Sequence, residues 1–151
     1  MVGQGFSQMT TCPSEYDECV VFHQWLVAKR YKHAHISNES QSGGTNAMIR
    51  GAKLKRIGQS KGFPDYIIIC HQKGHPDYLD IVAVEMKRRR GGTLSPEQAQ
   101  WLSALDEAGI WTGVCKGADD AIAFIEAVTE ARSIEQWQTP WQKRLKRPLT
   151  K

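Results

Sequence analysis

The hydrophobic positions along the chain change their spacing several times, from a helical repeat to a strand-like one and back. Ser14 and Ser95 are N-cap residues, and an amphipathic segment of helical period follows each. The run 66–70 is apolar without interruption, as in a strand that is buried on both faces. The segment 79–87 alternates, as a strand with two different faces does. In chain order the pattern predicts a helix at 15–29, a short strand at 33–37, a helix at 45–57, strands at 66–70 and 79–87, a helix at 96–108, a strand at 110–115 and a helix at 118–129.

This order of elements predicts one α/β domain, in which helices pack on both faces of a small mixed sheet. The chain has 151 residues, enough to bury a single core, and its 40% apolar and 24% charged residues are ordinary for a globular protein. We therefore expect a flexible N-terminus at 1–13, a folded domain at 14–130 and a basic, tryptophan-containing C-terminal tail at 131–151.

The formal net charge is +4, which permits a nucleic-acid partner without requiring one. The basic residues form three clusters, at 53–56, 87–90 and 143–147. A charge cluster is equally well explained as a solvated surface. The second cluster continues directly out of the strand 79–87, so contact with phosphate groups is favoured there.

The four cysteines contain no CxxC pair, and Cys70 and Cys115 lie in apolar runs where a reduced thiol packs as a small core residue. No apolar run approaches the length of a membrane span, and no signal peptide is recognisable. We expect a cytoplasmic protein with reduced cysteines and no membrane partner.

Three polar residues at the ends of the two central strands are the main candidates for chemistry. Asp65 precedes the run 66–70, while Glu85 and Lys87 end the strand 79–87. Residues two apart in a strand point to the same face, so Glu85 and Lys87 project together. Two carboxylates and an ammonium group at one sheet edge suit a divalent cation, a phosphate and an activated water.

Each of these residues also has a plain structural explanation. Pro-Asp after Gly is often only a turn, and Pro76-Asp77 is a second such pair in a predicted hairpin loop. Glu85 is explained equally by a salt bridge to Lys87. Glu18 lies on the apolar face of the first helix and is either a ligand or a structural partner. Glu15, one turn earlier, is the alternative to Glu18.

Several of these motifs together resemble the VRR-NUC (virus-type replication-repair nuclease) branch of the PD-(D/E)XK nuclease superfamily. The resemblance covers about residues 15–129, and two features depart from it: Ser37 replaces a usual proline and Cys19 replaces a common glutamine. The matching motifs are Gly62-Phe63-Pro64-Asp65, Glu85-Met86-Lys87, Leu94-Ser95-Pro96-Glu97-Gln98 with Trp101, His35-Ile36-Ser37-Asn38, and Ala52-Lys53-Leu54-Lys55 with Gly58.

The resemblance implies a restriction-endonuclease-like α/β/α sandwich and a metal-dependent site. Its metal ligands for Mg²⁺ or Mn²⁺ would be Asp65, Glu85, the Met86 backbone carbonyl and Glu18. Lys87 would orient the water or stabilise the transition state, and Gln98 would support the site. The residues predicted to reach nucleic acid are His35, Asn38, Lys53, Lys61, Arg88, Arg89 and Arg90, the three arginines because of their charge cluster. For His35, Asn38 and Lys61 a structural or loop role is an equal alternative.

The function implied by the resemblance is a structure-selective DNA endonuclease, similar to Holliday-junction resolvases and acting as a homodimer on branched DNA, a four-way junction or a flap. Two alternatives stay open: a non-catalytic nucleic-acid-binding module, and a flap- or sequence-directed nuclease. The resemblance also suggests a bacterial or phage origin. The exposed Trp137 and Trp141 suit an interface, a stacking contact or attachment of the tail to the core.

Overall fold

A computed structural model describes residues 12–36 and 44–130 of the chain. The predicted N-terminus and C-terminal tail lie almost wholly outside these ranges, as do Ser37 and Asn38. The elements in chain order are α1 (Glu15–Ala28), β1 (Lys32–His35), α2 (Gly44–Arg56), β2 (Tyr66–Gln72), β3 (His75–Lys87), α3 (Pro96–Glu107), β4 (Trp111–Lys116) and α4 (Ala118–Glu130).

The four strands form one mixed sheet in the order β1-β2-β3-β4. β1 and β3 run antiparallel to β2, while β4 runs parallel to β3 and is reached through the crossover helix α3. The predicted order of elements, including the short strand between the first two helices, is confirmed. The fold is an α/β sandwich of the restriction-endonuclease-like type.

The first face of the sheet carries the main core. Every second residue of β3, namely Val82, Val84 and Met86, is fully buried there, as the alternation in the sequence predicts. α1 and α4 cover this face and contribute Phe22 and Phe124. The packing is close enough that a β-carbon at Gly113 on β4 would lie 2.5 Å from the Phe124 ring.

The second face is covered only in part. α3 lies over its β4 side, where Ala83 and Val114 are buried. Toward β2 the apolar residues are not covered: Ile67 and Ile69 are half-buried, while Leu79 is 55% and Ile81 46% exposed. The prediction that 66–70 is buried on both faces is therefore wrong for the described residues. We call Ile67, Ile69, Leu79 and Ile81 the open face.

The hairpin between the central strands is tighter than predicted. Gln72 pairs with His75, so the turn consists of Lys73 and Gly74, and Pro76 with Asp77 belongs to β3 instead of a loop. Gly74 has a positive φ of 82°, which a two-residue hairpin turn commonly requires. None of the helices in the described ranges is long and apolar enough to span a membrane.

Candidate active site

The register of the sheet brings Asp65 and Glu85 together. Tyr66 pairs with Val84 in the antiparallel ladder, so one position further Asp65 lies opposite Glu85. Opposite residues in such a ladder have β-carbons about 5 Å apart. The backbone N–H of Met86 donates to Asp65 Oδ2 at 2.8 Å, so this carboxylate continues the ladder in place of a backbone carbonyl. The two carboxylates therefore meet at one edge of the sheet, as expected.

The Met86 carbonyl is directed to the same edge. Within an antiparallel pair, the N–H and C=O of one residue point to the same neighbouring strand. The Met86 N–H points to Asp65, and the next carbonyl, that of Lys87, points the other way and accepts from the Gly117 N–H at 3.0 Å. The Met86 carbonyl oxygen therefore lies on the side of Asp65.

Glu85 is a buried carboxylate that the protein satisfies on one oxygen only. Its side chain is 1% exposed, and Oε1 accepts from Lys87 Nζ at 2.8 Å and from Gln98 Nε2. Oε2 is buried and has no hydrogen-bond partner within the described part of the chain. A buried acceptor without a donor costs roughly 1–3 kcal/mol, more when it is charged. An oxygen of this kind suits a cation.

The surroundings of both carboxyl groups disfavour the charged form. Burial raises the pKa of Glu85 to about 7, and the negative charge of Asp65 adds to the rise while Lys87 opposes it. Burial also raises the pKa of Asp65, against the hydrogen bond from the Met86 N–H. A pair of this kind favours a bound proton or a bound cation over two free negative charges.

Gln98 connects the start of α3 to this pair. Its side-chain oxygen accepts from the Ser95 N–H at 2.9 Å, and its own N–H donates to Ser95 Oγ at 3.2 Å, which confirms the predicted capping box. The same side-chain oxygen accepts from Lys87 Nζ at 3.2 Å. Because the oxygen faces two donors, the amide nitrogen is turned toward Glu85, to which it donates.

Gly62 lets the loop before Asp65 pass close to α3. Its φ is +82°, and an added β-carbon would lie 2.7 Å from the Gln98 backbone nitrogen. Real β-carbons do not approach backbone this closely, so a side chain here would displace the loop. The same loop is fixed by the ring contact of Phe63 with Trp101, at 5.0 Å between centroids. The segment 62–65 therefore packs closely against α3 and is more than a simple turn.

We expect Gly62→Ala to destabilise the protein clearly more than Gly74→Ala. Both glycines have a φ of +82°, but no atom lies within 4 Å of a β-carbon at Gly74. Gly74→Ala therefore incurs only the left-handed penalty of about 1–2 kcal/mol. Gly62→Ala adds the clash with α3. Urea unfolding of both variants measures the difference, and equal losses would contradict the close contact at Gly62.

The first-helix carboxylate that the sequence favours as a ligand is engaged elsewhere. Glu18 is 3% exposed and forms an ion pair with Arg89, and its Oε2 accepts from the Ala118 N–H at 2.8 Å at the start of α4. The Arg89 guanidinium holds the pKa of Glu18 below its usual value. Arg89 also pairs with Asp119 at 2.8 Å. The contacts of Glu18 are thus those of a structural link between α1, α4 and the end of β3.

Glu15 is the alternative first-helix carboxylate. Burial is the largest cause of the raised pKa of Asp65 and of Glu85, and the negative charge of Glu15 adds a smaller rise to both. Glu15 is half-buried on the first turn of α1. The choice between Glu15 and Glu18 as a ligand stays a prediction. The helical repeat identifies both glutamates as candidates. The ion pair of Glu18 with Arg89 joins residues 71 positions apart, so it leaves no local pattern in the sequence.

The basic residues predicted to contact nucleic acid fall into two groups. Arg89 is bound to two carboxylates, which leaves it poorly suited to a phosphate. Arg88 and Arg90 are exposed beside it. His35 stacks edge-on against Tyr66, with centroids 4.8 Å apart. Lys53 and Lys61 are also exposed, while Asn38 lies outside the described residues.

The arrangement at the sheet edge fits a divalent cation. The Asp65 carboxylate, the Glu85 carboxylate with its unsatisfied Oε2 and the nearby Met86 carbonyl offer hard oxygen ligands of the type that Mg²⁺ and Mn²⁺ prefer. Within residues 12–36 and 44–130, no three side chains of His, Cys, Asp or Glu stand in a ligand-like group. The fit thus rests on two carboxylates plus a carbonyl.

A buried glutamate, a half-buried aspartate and a lysine meet at the edge of a restriction-endonuclease-like sheet, as in a nuclease-type domain. The family model described as the VRR-NUC domain matches residues 13–119, so the chain belongs to the VRR-NUC family. Nuclease domains of this family use divalent metals, and DNA is the substrate that they imply.

A solved structure of a VRR_NUC domain protein is similar to this chain. The two are 25% identical, the match covers 77% of this chain and 88% of the other, and the TM-score is 0.57. None of the curated proteins compared with the chain matches it.

Proposed function

We propose that this protein is a Mg²⁺- or Mn²⁺-dependent endodeoxyribonuclease that hydrolyses phosphodiester bonds in branched DNA, with the four-way junction as its preferred substrate. The observation that carries the proposal is the buried, unsatisfied Glu85 Oε2 opposite Asp65, with Lys87 on the same face. A protein that only binds DNA has no need for this costly group.

The roles of the residues follow from their contacts. Asp65, Glu85 and the Met86 carbonyl would hold the cation, and Glu18 or its alternative Glu15 on the first helix would complete the shell. A bound divalent cation lowers the pKa of its water and offsets negative charge on the phosphate. Lys87 Nζ lies between Glu85 and Gln98, from where it is placed to orient the water or to stabilise charge on the phosphate.

The exposed basic residues Arg88 and Arg90 follow the catalytic strand directly and would contact the DNA backbone. Symmetric incision of a four-way junction needs two active sites, which a two-fold dimer supplies. We therefore propose a homodimer in the cytoplasm of a bacterial cell or of a phage-infected host. Sedimentation that shows only monomer at assay concentrations would contradict the dimer.

Cleavage assays test the function directly. The protein is incubated with Mg²⁺ or Mn²⁺ and with four-way, flap, duplex or single-stranded DNA. We expect cleavage of the junction, and a loss of roughly a thousandfold in Glu85→Ala and in Lys87→Ala. Glu107→Ala, at an exposed glutamate on the far end of α3, is the matched control and should cut normally.

Three results would decide against parts of the proposal. No cleavage with either metal refutes the enzyme and supports a binding module. Cleavage by Glu85→Ala at the wild-type rate refutes the site. Preference for a flap or for one sequence refutes junction selectivity alone.

Metal binding should strengthen with pH. Because the folded pKa of Glu85 is raised to about 7, its stabilising contribution is full below the unfolded value of 4.5 and is lost as pH rises through 7. A cation binds the deprotonated form, so its affinity should rise by up to about tenfold per pH unit below 7 and level off above. Calorimetric titration with Mn²⁺ at pH 6, 7 and 8 measures this. A constant affinity across that range would contradict the raised pKa.

A further inference from the structure

The open face is an apolar surface that the sequence treats as interior. The run 66–70 has the composition of a strand covered on both faces, yet Ile67 and Ile69 are only half-buried. Beside them on β3, Ile81 and Leu79 are about half exposed. Four large aliphatic residues side by side are a patch that a soluble protein seldom leaves uncovered. Within the described residues this surface is left partly exposed.

The described part of the chain ends close to this face. The Lys73 N–H donates to the Thr129 carbonyl at 3.0 Å, and Lys73 Nζ pairs with Glu130 at 3.0 Å. The last turn of α4 is therefore fixed to the hairpin turn. The same hairpin carries the exposed end of the open face, where Leu79 pairs with His71. Residue 130 therefore lies at the hairpin end of the sheet, from where the following chain can pass around the hairpin to the second face.

The remaining segment, 131–151, has suitable chemistry for that surface. It contains five large apolar residues, Ile134, Trp137, Trp141, Leu145 and Leu149. Thr139-Pro140-Trp141-Gln142 is a capping-box pattern with proline in the first helical position, so the sequence is compatible with a helix from there onward. Trp141 and Leu145, four positions apart, would share one side of that helix, and Ile134 and Trp137 precede it.

The distances allow the segment to reach the open face. Two layers that pack on opposite faces of a sheet lie about 20 Å apart, and the seven residues 131–137, when extended, span about 23 Å. A tethered segment also has an effective concentration of about millimolar, which favours it over a second copy of the chain at ordinary protein concentrations.

We propose that the segment 131–151 folds back over its own sheet and covers the open face, with Trp137 and Trp141 packed on Ile69 and Ile81. The segment is then an integral layer of the domain, the counterpart of α1 and α4 on the first face. The proposal does not depend on nuclease activity.

Photo-crosslinking in the full chain tests the proposal. Benzoylphenylalanine in place of Ile81 should crosslink within one chain, to peptides between residues 134 and 145, in a band of monomer size. The same group in place of Ile49 on α2, which is 52% exposed against 46% for Ile81, is the matched control and should give little of this product. A dimer-sized band, no crosslink, or an equal yield from position 49 would overturn the proposal.

A double-mutant cycle gives an independent check that does not rely on the probe. Ile81→Gln and the pair Trp137→Ser with Trp141→Ser should each lower the melting temperature by about 4 °C, since 1 kcal/mol corresponds to about 2–4 °C at this chain length. The combined variant should lose clearly less than the sum, because both changes remove one contact. Ile49→Gln combined with the tryptophan changes should be additive. Additivity at position 81 would also overturn the proposal.

Discussion

Replacing Asp65 with Asn is expected to abolish metal-dependent cleavage and, at the same time, to make the metal-free protein more stable at pH 8. The Asn side-chain oxygen still accepts the Met86 N–H, so the ladder-like hydrogen bond is kept. The substitution removes one of two negative charges that lie opposite each other in the sheet. Activity should fall by roughly a thousandfold, as when a group essential to the transition state is removed.

The gain in stability has a defined pH dependence. The pKa of Asp65 is raised by burial in the folded protein, so the carboxyl stabilises the fold below its unfolded value of 3.8 and loses this contribution as pH rises through the folded value. At pH 8 the Asn variant avoids that loss and should melt about 3 °C higher, whereas near pH 4 the two proteins should be similar. Asp106→Asn, at an exposed position on α3, is the control.

Thermal melting at both pH values and a cleavage assay measure the two halves of this expectation. A variant that is inactive but less stable at pH 8 would show that repulsion between the Asp65 and Glu85 carboxylates does not destabilise the metal-free protein. Functional groups that cost stability in the absence of ligand are a common trade-off in active sites.

Replacing Arg89 with Ala is expected to lower the free energy of unfolding clearly more than replacing its neighbour Arg88. The change leaves the Glu18 carboxylate, which is 3% exposed, with the Ala118 N–H as its remaining hydrogen bond among those that the structure shows. The arginine is itself 41% exposed, so the loss comes from the buried Glu18 carboxylate that is left without its charged partner. Arg88→Ala removes an exposed arginine one position earlier and should change the free energy of unfolding by less than about 0.5 kcal/mol.

A double variant separates the structural and catalytic explanations of Glu18. Glu18→Gln with Arg89→Met replaces both charges by neutral groups of similar size, which is often nearly neutral for stability. If Glu18 is a structural link, the double variant should regain most of the stability and still cleave DNA. A folded double variant without cleavage would instead place Glu18 at the metal. Glu15→Gln should reduce cleavage without a large change in unfolding.

The parts that sequence predicted well are those specified by local pattern. The alternation of β3 gave the two faces, and Ser95 with Gln98 gave the start of α3, because both depend on residues a few positions apart. The proximity of Asp65 and Glu85 could also be predicted from the sequence, since the register of a hairpin fixes which residues lie opposite each other.

The parts that sequence did not predict depend on contacts across the fold. Glu18 and Glu15 lie one turn apart on the same helix and have the same local chemistry. They differ in their long-range contacts, because Glu18 binds Arg89, just after β3, and the Ala118 N–H at the start of α4. The burial of 66–70 was wrong on one face because α3 lies over the β4 side of the sheet and does not reach β2. Long-range packing of this kind leaves no periodic signal.

The position of Gln98 restricts which residues evolution can accept there. A helix start alone would accept Gln or Glu in the capping box, since either can accept the Ser95 N–H. Glu would bring another negative charge beside Glu85 and would lose the donor that reaches its carboxylate. The capping box accepts Gln or Glu at this position, and the neighbouring Glu85 carboxylate favours Gln.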